Sequence, residues 1–215
     1  MDGEALREPS GTPEVPRARA AAALRRLGHA LMGHDASDDL LDRVAEAADR
    51  VAADLEAGTP RQRDLVELKR RMFDVEVADG AHVVHFDECF VSGPWNPMGI
   101  AMDVHREGDE AVAEVTLGPA FEGAPGRSHG GIVAALFDDL LGYLLVLDHT
   151  PAFTGELTVR YLAPTPIEQP LTIRGRAVRR EGRKLWTSGE ASVEGNIVAT
   201  AEALFILVDA SRLKP

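Results

Sequence analysis

The chain of 215 residues has one cysteine, Cys89, which excludes an internal disulfide and any zinc site built from several thiolates. Basic residues are outnumbered: 23 Lys and Arg stand against 35 Asp and Glu, a formal net charge of -12. Nucleic acid and anionic membrane surfaces both reward basic patches, so neither is expected as the main partner. A few local arginines would still suffice to hold a small anionic ligand. No run of about 18 residues is free of charge, and the longest candidate, Ile132 to Leu147, is broken by Asp138 and Asp139. No basic-then-apolar leader is visible, and a cytoplasmic location is the expectation. Nor does any His, Asp and Glu cluster have ligand spacing, so no metal is expected. What is present, 45% hydrophobic and 27% charged residues, is the composition of a globular protein.

Residues 1–18 combine Pro9, Pro13 and Pro16 with charge and lack any apolar period, which reads as a disordered tail. Residues 19–80 read as a helical extension. Leu40, Leu41, Val44, Ala48, Val51 and Leu55 recur at three- and four-residue spacing behind Ser37, a candidate N-cap. "TPRQRDLVELKRRM" restarts the pattern with Thr59 as cap and Pro60 in the first turn. His29 and His34, beside a glycine and an aspartate, read as solvated loop residues. No catalytic constellation lies here, and the apolar stripes are expected to pack on the following domain or at a seam between copies.

Residues 81–215 form the second domain. "GIAMDVHR" and "AVAEVTL" flank a polar turn and read as a hairpin. A loop, "GPAFEGAPGRS", precedes the apolar segment "HGGIVAALFDDLLG", and four strands follow: "GELTVRYL", "LTIRGRAVRR", "KLWTSGEASV" and "IVATAEALFILV". The short links "EGR" and "EGN" suit hairpins. A helix of about 19 residues spans roughly 28 Å. Being apolar nearly all round, it must be wrapped rather than lie on a surface. The fold class is therefore α+β: a curved antiparallel β-sheet wrapped around one long central helix, the hotdog arrangement, preceded by a helical N-terminal extension.

Four motifs in order, "CFVSGPWNPMGIAM", "HGGIVAALFDDLLG", Thr154 within "TGELTVRYLAPTP" and "EGRK", resemble the hotdog-fold acyl-CoA thioesterases of the PaaI-like and thioesterase-superfamily type, over about Phe86 to Val208. The resemblance implies hydrolysis of an acyl-CoA thioester, with coenzyme A as part of the substrate and no separate cofactor. It also implies a homodimer or homotetramer with the active site between protomers. Thioester hydrolysis needs a polarised carbonyl and either an activated water or a carboxylate nucleophile. The first turn of a helix offers unpaired N–H groups to an oxyanion, which points to Gly131 as donor with Gly130 beside it. His129 would position the thioester oxygen or close the helix start.

In the family the acid follows the histidine by nine residues, which selects Asp138 as base or nucleophile; a slip of one residue selects Asp139. Nine helical residues put Asp138 about 13 Å from its own His129, so it would serve a carbonyl held by the partner. Thr154 matches the family's hydroxyl, and as a β-branched residue it also fits a strand. Asn96 edges the acyl pocket by resemblance alone. Arg183 and Lys184, with Arg179 and Arg180, suit either the coenzyme's phosphates or a solvated hairpin tip. Cys89 reads as a small buried residue, and Trp95 either lines the pocket or packs beside its turn. A competing function from another class is a non-catalytic acyl-CoA-binding or assembly module whose N-terminal helices dock a partner. A hotdog hydratase ranks last, because those relatives place an Asp before a His.

Overall fold

The computed structural model describes residues 15–62, 76–83 and 86–208. Helix α1 spans Pro16–Gly33 with a proline in its first turn, where the preset φ favours the helix and the missing N–H leaves no bond unmade. It therefore opens inside the stretch 1–18 that composition assigns to a tail. Helix α2, Asp38–Glu56, follows Ser37 and places Asp38 and Asp39 in its first turn, where carboxylates suit the helix dipole. The Ser37 side chain makes no capping bond. The second helical repeat, from residue 63 onward, lies outside the described residues, as do residues 1–14.

Within one chain α1 buries Ala21, whereas α2 buries no residue. The apolar stripe of α2 stays open, with Leu40, Leu41, Val51 and Leu55 all exposed. His29 is not a loop residue. It sits within α1 and packs edge-on against Phe121, with ring centroids 5.1 Å apart. His34 follows α1 at its C-cap and lies in the solvated position expected of it.

Strands β1 (Asp103–Glu107) and β2 (Glu110–Thr116) come first. A 3-10 turn, Pro119–Phe121, and a small ribbon of β3 (Glu122–Ala124) and β4 (Arg127–Ser128) interrupt the loop that the sequence left unstructured. Helix α3 is Gly130–Leu147, followed by β5 (Ala152–Tyr161), β6 (Pro170–Glu181), β7 (Lys184–Val193) and β8 (Asn196–Leu207). Six strands form one antiparallel sheet in the order β1-β2-β6-β7-β8-β5, so β1 and β5 are its edges.

By length and composition α3 would suffice to cross a membrane, with its two aspartates tolerated. Here the sheet covers it instead. Leu136, Phe137, Leu140 and Leu141 are wholly buried against Leu171, Ile173, Ala191 and Phe205. The close approach depends on two glycines paired across β6 and β7, Gly175 and Gly189. A Cβ at Gly175 would stand 2.8 Å from Leu141, and one at Gly189 would stand 3.2 Å from Phe137. In β7 the alternation legible in the sequence is realised: Leu185, Thr187, Ala191 and Val193 are buried.

Candidate active site

The ribbon delivers the chain to His129 in extended backbone (φ -64°, ψ 132°), directly before α3. His129 N–H donates to Phe121 O at 2.8 Å, which seats the helix start on the 3-10 turn. Its Nδ1 accepts a hydrogen bond from Gly131 N–H at 3.0 Å. Histidine thus does the work usually left to a Ser, Thr, Asp or Asn cap. Tyr161, at the end of β5, donates its hydroxyl to Gly130 O at 2.8 Å. His129, Gly130 and Gly131 are therefore held as one unit, and the N–H assigned to an oxyanion is closed by the imidazole. A cleft of about 450 Å³ opens beside this turn, lined among others by Arg127, His129, Gly130, Val133 and Tyr161. The sequence reading passed over Arg127 and Tyr161, since neither belongs to a local pattern.

Asp138 lies seven residues beyond Gly131, about 10 Å further along the helix axis. It is exposed and accepts a hydrogen bond from Thr154 Oγ1 at 2.9 Å, across to the edge strand β5. Asp139 points about 100° away around the helix and accepts from Cys89 Sγ at 3.1 Å. Burial pushes the Cys89 thiol pKa up, and the neighbouring Asp139 charge adds to the rise, so the thiol keeps its proton and donates. Tyr143 responds the same way, its hydroxyl pKa raised by burial and then by Asp139. The two acids that the sequence left open have different surroundings: one meets a hydroxyl at the sheet edge, the other a thiol beneath the 86–102 loop. Cys89 is more than a small buried residue, and no linear signal marks a bond between residues fifty apart.

The other candidates lie elsewhere. Asn96 uses both arms of its amide inside its own loop: Nδ2 donates to Glu88 O at 3.1 Å and Oδ1 accepts from Met98 N at 2.9 Å. Trp95 is half-buried in the same loop. Arg183 donates from Nε to Leu207 O at 3.0 Å, and Lys184 stands 6.0 Å from the Trp186 ring centroid, with Arg179 at 3.9 Å. Arg180 pairs at 3.0 Å with Asp148, just past the C-terminal end of α3. These cations thus stand at the opposite end of α3 from His129, roughly 27 Å along the axis. No group of three or more His, Cys, Asp and Glu able to hold a metal ion occurs among the described residues. A second hollow of about 310 Å³, lined by Arg174, Arg176, Glu190 and Glu202, lies on the sheet away from these groups.

A family model described as the thioesterase superfamily matches residues 126–200, from the approach to α3 into β8. Over that segment, which holds α3 and most of the sheet, the chain is similar to the thioesterase superfamily. The chain is 37% identical to acyl-coenzyme A thioesterase THEM4 of Xenopus laevis over 91 residues, 41% of each chain. It is 29% identical to the same enzyme of Bos taurus over 126 residues, 57% of this chain and 52% of that one. The chain therefore spans about half the length of these curated relatives. A solved crystal structure of a thioesterase superfamily protein aligns with a TM-score of 0.76 at 29% identity, covering 92% of this chain and 93% of that one. That span runs beyond the hotdog domain into the helical extension.

Proposed function

We propose that the chain hydrolyses acyl-CoA thioesters to a free acid and coenzyme A, at a site shared between two copies. The observation that carries the reading is the Thr154–Asp138 bond of 2.9 Å, on an exposed sheet edge in a segment similar to the thioesterase superfamily. The thioester oxygen displaces the His129 ring and takes the Gly131 N–H, so that charge developing on it meets a fixed donor at the positive end of α3. Asp138 of the other copy receives a proton from water as that water adds to the carbonyl carbon, or adds to the carbon itself to give a mixed anhydride that water then hydrolyses to the free acid and the carboxylate. Collapse of the adduct breaks the C–S bond, and the coenzyme thiolate leaves and takes up a proton. Thr154 holds one carboxylate oxygen and leaves the other to react. Asp139, engaged by Cys89, anchors the helix and is not the acid of this reading.

The need for two copies is geometric. One end of β5 is marked by Tyr161, bonded to the helix start, and the other by Thr154, bonded to the acid. Antiparallel joining of two β5 edges lays the Thr154 end of one copy against the Tyr161 end of its partner. That closes the gap of about 10 Å along the helix and covers an edge that would otherwise invite stray pairing. Ala152 pairs with Leu207, and Lys184 pairs with Ile206, so the β6–β7 tip stands at the same end as Thr154. Joining then carries Arg183 and Lys184 toward the partner's cleft, where they suit coenzyme phosphates. A homodimer or dimer of dimers follows, and a cytoplasmic location suits a free cysteine.

The competing reading, an acyl-CoA-binding module without turnover, draws on one observation: Gly131 N–H is already engaged. Thiol release from short, medium, long and aromatic acyl-CoAs, measured beside equilibrium binding of the same panel, separates them. Turnover with any member above the uncatalysed rate is the expected result; saturable binding without turnover replaces the hydrolase by the module. Where turnover is found, Thr154→Val, which removes the donor at little change in shape, should lower kcat about tenfold with KM within about twofold.

A further inference from the structure

Two contacts of helix α1 with the hotdog domain each lead to one half of the candidate site. At the first, His29 Nδ1 accepts a hydrogen bond from Ala120 N–H at 3.2 Å while its ring packs on Phe121. The fit requires Gly118, since a Cβ there would lie 2.5 Å from Nδ1. Phe121 O in turn accepts from His129 N–H, and His129 caps Gly131. The chain closes so tightly here that a Cβ at Gly123 would stand 2.7 Å from His129 Cα. At the second, Arg25 Nη1 donates to Pro94 O at 3.1 Å and to Asn96 O at 2.7 Å. That loop carries Cys89, which grips Asp139, the neighbour of Asp138 on α3.

We infer that α1 is a positioning clamp for this site: His29 holds the turn that presents His129 and Gly131, and Arg25 holds the loop that grips α3 beside Asp138. Burial, and then the Arg25 charge, lower the His29 pKa, which keeps the imidazole neutral and its Nδ1 free to accept. The effect on catalysis rests on the hydrolase reading above, because a donor displaced by even an ångström forfeits much of its effect. Neither residue touches substrate; both act through hydrogen bonds to the backbone.

The test uses the full chain with His29→Leu, His29→Asn and Gly118→Ala. Asparagine keeps an acceptor at the δ1 position, whereas leucine removes it, and Gly118→Ala pushes the ring away without altering α1. Two readouts are taken: steady-state hydrolysis of the best acyl-CoA, and amide hydrogen exchange at residues 129–132 with β7 amides as the folding control. Leucine and Gly118→Ala should lower kcat about tenfold with KM within about twofold, and should speed exchange at residues 129–132 by a similar factor while β7 is unchanged. Asparagine should stay within about threefold of wild type in both. The clamp is overturned if leucine leaves kcat and exchange alone, or if asparagine behaves like leucine. Should the wild type hydrolyse no thioester, exchange alone decides the clamp, and only the hydrolase reading is lost.

Discussion

Asp138→Asn should lower kcat for acyl-CoA hydrolysis by about a thousandfold and leave KM within about twofold, the mark of an interaction made in the transition state. The amide keeps the shape and can still accept from Thr154 Oγ1, now 2.9 Å from the carboxylate. It can neither take a proton from water nor add to the carbonyl. Stability should barely change, because the residue is exposed. Asp139→Asn is the informative contrast. It weakens the bond from Cys89 Sγ and leaves the edge carboxylate in place, so kcat should fall far less than in Asp138→Asn. The reverse order of effects would move the chemistry to Asp139. Mixing Asp138→Asn with Gly131→Pro, which removes the N–H in a first turn that tolerates proline, tests the shared site. Each mixed dimer would keep one intact pair, so an equal mixture should recover about a quarter of wild-type activity. No recovery, with exchange of subunits demonstrated, would return the site to a single chain.

Phe137→Ala should cost about 3–5 kcal/mol and lower the melting temperature by about 10 °C or more. The ring is fully buried and fills the saddle over Gly189, where a Cβ would already stand 3.2 Å from its Cδ1. Truncation leaves a void between α3 and β7 that the sheet cannot close, since Leu136 and Leu140 are themselves fully packed. Leu55→Ala in α2 is the control. That side chain is 74% exposed, so its loss should fall within about 0.5 kcal/mol. A Phe137→Ala protein that melts with the wild type would mean that α3 is not the core of the domain. Thermal denaturation of both variants, followed by far-ultraviolet circular dichroism, makes the comparison.

The order of elements was legible because hydrophobic periodicity is local: a helix apolar nearly all round demands a wrapping sheet, and the strands around it alternate on their own. The same holds for the run from His129 to Asp138 and for Thr154, which a linear motif brings to attention together. What the linear pattern left open was direction. Two adjacent aspartates on one helix are equivalent in sequence, and only packing turned Asp138 to the β5 edge and Asp139 to the thiol of Cys89. The helix start looked like open N–H groups, yet the fold folded the His129 ring back onto Gly131. His29 read as a solvated residue because its partner, Ala120 N–H, lies ninety-one positions away. Sequence by itself determined the layers, the superfamily motif and the residues worth weighing, since these depend on spacing along the chain. Tertiary structure alone decided which acid faces the edge, which donor is capped and what α1 holds, since a hydrogen bond depends on where two distant side chains point.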